Sequence, residues 1–67
     1  MVTRVYLKEA LKSKRQTIFV AVSSDVFDGK RYFDGFQLAR NGEWEDWDMA
    51  ETRINKMVKA GQMVRIQ

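Results

Sequence analysis

Sixty-seven residues with a net charge of +3 and 45% apolar side chains make one small domain, residues 1–67. Such a chain lies close to the lower size limit at which a hydrophobic core holds a fold alone. It contains no cysteine and no histidine, which excludes disulfides, thiolate or imidazole metal sites and any catalytic triad built on an imidazole. The longest apolar run, Ile18–Val22, is far too short to cross a bilayer, so no membrane contact is expected and the cytoplasm is the expected compartment.

In chain order, Thr3 can cap a helix running to about Ser13, with Leu7, Ala10 and Leu11 on one face. Lys8, Glu9, Lys12 and Lys14 then lie on or beside its solvated side. A strand over Val2–Leu7 is the alternative, because the segment is short and partly β-branched. Thr17–Val22 reads as a strand, and Asp28-Gly29 as a hairpin dipeptide leading into Lys30–Arg40. On the return strand Tyr32, Phe36 and Leu38 share a face with Asp34 as an exception, and Gly35 marks a bulge.

Asn41-Gly42 is expected to form a type I′ turn into a third strand, Glu43–Trp47. Asp48, followed three residues later by Glu51, has the form of a capping box, and Gly61 that of a helix stop. Between them Trp47, Ala50, Ile54, Met57 and Val58 recur at helical spacing, with Lys56 and Lys59 suited to the negative end of the helix. Met63–Ile66 adds a last strand. The expected fold is an α+β two-layer sandwich, an antiparallel three- to four-stranded meander with one or two helices in the order α-β-β-β-α-β.

The chain lacks the residue types of most catalysis. Ser13, Ser23 and Ser24 have no imidazole to activate them, and the glycines are spread as turn and cap residues rather than gathered in a phosphate loop. No enzymatic activity and no cofactor are expected. The acids at Glu43, Glu45, Asp46, Asp48 and Glu51 do not have the ligand spacing of a calcium loop. They are expected to guard a strand edge against pairing, and no metal is assigned.

Charge is unevenly spread. Residues 1–31 hold seven Lys or Arg against three acids, and residues 32–67 hold five against six. Arg53, Lys56 and Lys59 recur at i, i+3, i+6, while Lys30, Arg31 and Tyr32 sit at a hairpin tip. These six residues are the candidate nucleic-acid contacts. Glu43, Trp44, Glu45, Asp46 and Asp48 form the candidate surface for a basic protein partner. Trp47 falls in register with the apolar stripe and is expected in the core. Burial is expected for Trp44 as well, since a small chain needs each of its large apolar groups.

Three short likenesses bear on these candidates. Helix-strand-strand-strand-helix in this length looks like the element order of a double-stranded-RNA-binding domain, which implies RNA contact through the second helix. Here that helix opens with Asp48 and Glu51 in place of the family's lysine cluster. Asp28–Phe36 is similar to the strand-turn-strand of arm-binding domains of phage-type integrases and of AP2-like domains, which implies a three-stranded sheet placed on DNA. Arg53–Ile66 resembles the helix-glycine-strand run of winged-helix regulators.

The expectation is a small non-enzymatic binding protein, of the kind found among phage or mobile-element accessory proteins, that binds nucleic acid through its basic face. The alternative is a protein-binding regulator or inhibitor using the acidic, Trp-containing 43–48 edge. A third possibility is a homodimer formed through the C-terminal strand, Gln62–Gln67.

Overall fold

The computed structural model describes residues 3–10 and 15–67. Five strands and one helix follow the order β1 (Arg4–Glu9), β2 (Gln16–Phe27), β3 (Lys30–Leu38), β4 (Trp44–Ala50), α1 (Glu51–Lys59) and β5 (Met63–Arg65). All neighbouring strands are antiparallel, and the spatial order is β4-β3-β2-β1-β5. The architecture is α+β, one sheet with one helix against it. It differs from the expected α-β-β-β-α-β order in its first element and in having a fifth strand.

The expected helix from Thr3 is instead β1, hydrogen-bonded between β2 and β5. Val5, Tyr6 and Leu7 are apolar in succession, so the segment lacks the alternation of a half-buried strand. In the sheet Tyr6 and Lys8 point to one face, and Val5 and Leu7 to the other. Lys12 and Lys14, expected on or beside the solvated side of that helix, lie outside the described residues.

Asp28 and Gly29 both have positive φ, at 53° and 77°, as the two-residue type I′ hairpin requires. At the next connection only Gly42 does. There the Gly42 N–H donates to the Ala39 carbonyl at 3.0 Å and the Ala39 N–H to the Glu43 carbonyl at 2.7 Å. The loop is therefore a three-residue turn rather than type I′. Asn41 supplies its side-chain oxygen to the Glu43 N–H at 3.0 Å instead of entering the left-handed region.

The bulge anticipated at Gly35 sits across from it. Ala21 pairs with Gly35 and Ser23 with Asp34, leaving Val22 as the extra residue on β2. Gly35 itself is required by close packing, because a Cβ there would overlap the Val20 carbonyl oxygen.

Asp48 is a strand residue and not a helix cap. It pairs with Asp34, and β4 continues through Met49 and Ala50 opposite Phe33 and Tyr32. The ladder to β3 outweighs the local capping preference, and α1 starts after Ala50 with no side-chain cap. The helix ends as the sequence suggests: Gln62 N–H reaches the Met57 carbonyl at 2.8 Å and Gly61 N–H that of Val58 at 3.1 Å. That pair of bonds is the Schellman motif.

The connection from β4 to β5 must span the sheet, since these strands form its two edges. Five strands about 4.8 Å apart separate the edges by about 19 Å. A nine-residue helix covers about 13 Å, and the turn through Gly61 supplies the rest. The crossing seals one face over a core of Tyr6, Phe19, Ala21, Phe33, Met49, Ile54, Met57 and Met63. Tyr6 and Phe19 stack with ring centroids 6.1 Å apart, and the Arg4 guanidinium lies 4.9 Å from the Phe33 ring centroid.

Candidate functional site

Opposite the helix-covered face is a second face that no described element covers. Side chains alternate along each strand, so the pairing register lists its occupants. One row crosses the whole sheet: Val64 pairs with Leu7, Leu7 with Ile18, and Leu38 with Trp44. Leu38 adjoins Gln37, the partner of Phe19, and its carbonyl accepts the Thr17 hydroxyl, which brings it beside Ile18. The next row is Val5, Val20, Phe36 and Asp46.

Trp44, expected to be buried, is 52% exposed, and Phe36 is 43% exposed. Val64 and Ile66 are exposed as well, while Val5, Leu7, Ile18, Val20 and Leu38 are half-buried against one another. Trp47 takes the other side of β4 and packs against the core, from a strand rather than from the helix.

The open face ends in an acidic corner. Asp34 pairs directly with Asp48, and Asp46 lies two residues along β4. These carboxylates and Phe36 ring a shallow hollow that begins at the Val22 bulge. No hydrogen bond to the three aspartates occurs among the described side chains. Glu45 departs from this group: it points to the covered side and accepts from the Gln37 amide at 3.0 Å. Glu43 lies in the loop before β4. Among the described residues no group of three or more carboxylates is arranged to hold a metal ion.

The basic candidates are divided by the sheet. Arg53, Lys56 and Lys59 are exposed along a shallow depression on α1. By alternation Arg31 lies on the helix side, where its guanidinium donates to the Ser24 hydroxyl at 3.0 Å. Lys30 and Tyr32 belong to the open face, with Tyr32 half-buried between Asp25 and Ala50. Lys30 and Tyr32 are therefore separated by the sheet from the helix set, whereas Arg31 is on the same side of the sheet as that set.

A residue that sequence reasoning placed on a solvated face is in the core. Lys8 is 2% exposed, with its ammonium 5.3 Å from the Trp47 ring centroid. Lys8 Nζ, Gln37 Oε1 and Trp47 Nε1 are all buried without a hydrogen-bond partner. Burial lowers the Lys8 pKa from its ordinary value, Arg53 adds in the same direction and Glu45 opposes them. Buried against Trp47, this amine bears on stability.

No family model matches the chain, and no curated protein or solved structure is significantly similar to it. No helix among the described residues is long and apolar enough to cross a membrane.

Proposed function

We propose that this chain is a non-enzymatic binding module that docks a protein partner on the open face of its sheet. The supporting observation is the apolar row Val64–Leu7–Ile18–Leu38–Trp44 on the face opposite α1. A sheet with one face permanently in water alternates apolar and polar residues. Here the central strands carry apolar side chains on both faces, as strands do when each face is covered. Trp44 adds a large, two-torsion side chain of the kind that dominates binding energy at protein interfaces.

A second reading, nucleic-acid binding, is supported by the shared exposed side of Arg53, Lys56 and Lys59. The two readings use opposite faces and separate cleanly by mutation. Proteins captured by the immobilised chain from a nuclease-treated lysate of its source cells are compared among variants. Under the protein-docking reading, Trp44→Ala with Phe36→Ala loses a captured protein that Lys56→Glu with Lys59→Glu retains. Retention by the face variant and loss by the helix variant would overturn it. Tight, salt-sensitive binding of duplex DNA or RNA that only the helix variant loses would favour the nucleic-acid reading.

A further inference from the structure

The chemistry of the open face constrains what covers it. Among the described strand residues this face carries Glu9, Asp25, Asp34, Asp46 and Asp48 against Lys30 alone. Two copies packed face to face would set these acids against one another, and like-charge juxtaposition across an interface disfavours association. A phosphate backbone or an anionic lipid surface meets the same repulsion. The apolar band requires an apolar surface opposite it, and the acids require cations at its margin.

A second observation locates the cations. Asp34 and Asp48 stand directly opposite each other on β3 and β4, where like charges destabilise a sheet. No cationic side chain of the described residues is hydrogen-bonded to either one. The pair flanks a hollow walled by Phe36 and Asp46. A guanidinium or ammonium entering there would meet the carboxylates beside an aromatic side chain, favourable partners for a cation. Trp44 lies at the other end of β4, so one partner surface laid across the sheet spans both features.

We infer that the open face takes a basic protein surface, an apolar patch flanked by arginine or lysine, with one cationic side chain seated in the Asp34–Asp46–Asp48 hollow beside Phe36. This rests on the docking reading above and specifies the partner's chemistry.

The test is selection of displayed random peptides on the full chain, followed by amide NMR titration with the selected peptides. The expected result is a set enriched in apolar residues and in Arg or Lys that shifts the amides of Asp34, Phe36, Asp46 and Trp44. Affinity should fall at least about tenfold in Asp34→Asn with Asp46→Asn and Asp48→Asn, and should weaken with salt. The triple variant removes like-charge repulsion and should stay folded, which its amide spectrum checks directly. Trp44→Ala independently tests the apolar half. Peptides that bind this face but are neutral or acidic, and bind the triple variant equally well, would overturn this inference and leave the docking reading standing. Shifts confined to α1, or no selected binder on the sheet, would overturn both.

Discussion

The two faces of this sheet are built from similar side chains and differ in how far folding removes them from water. The covered face gathers Tyr6, Phe19, Phe33 and Met49 under Ile54 and Met57, and its apolar groups are almost wholly removed from water. The open face carries Leu7, Ile18, Val20, Phe36 and Trp44, which shelter only one another. The first set supplies the hydrophobic free energy of folding. The second is only partly removed from water. Leu7, Ile18 and Val20 are half-buried and contribute to folding. Phe36 and Trp44 keep 43% and 52% of their surface exposed, the excess that the proposed partner would cover.

The most direct way to break this comparison is to remove one phenylalanine from each face. Phe19→Ala should cost about 3–5 kcal/mol, enough to unfold much of so small a domain. Phe36→Ala should cost less, about 1–2 kcal/mol, because the residue stays 43% exposed in the fold. Urea denaturation followed by tryptophan fluorescence measures both, and equal losses would refute the division between the faces. Gly35→Ala acts at the seam. Its new Cβ meets the Val20 backbone, which has no rotamer to escape into. A loss of about 3 kcal/mol is expected in the same assay, at the upper end of overpacking costs.

Lys8 sharpens the picture of the covered face. Its ammonium is buried without a hydrogen bond and faces Trp47. Lys8→Met should raise stability by up to about 2 kcal/mol, since removing an unsatisfied polar group outweighs the lost cation–π contact. The pH dependence follows from linkage. The folded state holds the Lys8 proton less tightly than the unfolded chain does. Stability should therefore rise as pH climbs through the lowered folded value towards the ordinary lysine value. Below the folded value the burial penalty is fully present. Thermal melts of wild type and Lys8→Met between neutral and alkaline pH should converge as pH increases.

The smallest expected effect lies on the open face. Asp34→Asn relieves the repulsion from Asp48 and should stabilise the free protein by about 0.2–1 kcal/mol, less at high salt. Denaturation at low and high ionic strength checks it. A partner's affinity falling while stability rises would be the mark of a face kept for binding.

Much of the architecture was legible before the fold. The strand at Thr17–Val22, the Asp28-Gly29 hairpin, the meander through β4 and the helix ending at Gly61 follow from β-branched runs, turn dipeptides and 3.6-residue spacing. The errors fall where long-range pairing overrode a local preference. The residues from Thr3 suit a helix, yet the strand alternative weighed for Val2–Leu7 is the one found, with Arg4–Glu9 paired between β2 and β5. Asp48 suits a helix cap, yet belongs to a ladder with Asp34.

The sequence by itself determined the lack of histidine and cysteine side chains, the Asp28-Gly29 turn, and the clustering of acids and indoles around β4. It also marked Asp34 as the charged exception among Tyr32, Phe36 and Leu38. Only the tertiary structure decided that this exception meets Asp46 and Asp48 in one corner. The separation of Lys30 from Arg53, Lys56 and Lys59 by the thickness of the sheet, and the burial of Lys8, were likewise decided there. The physical reason is register: spacing along one strand says which residues share a face, whereas the hydrogen-bonded ladder says what stands beside them and which face the single helix covers.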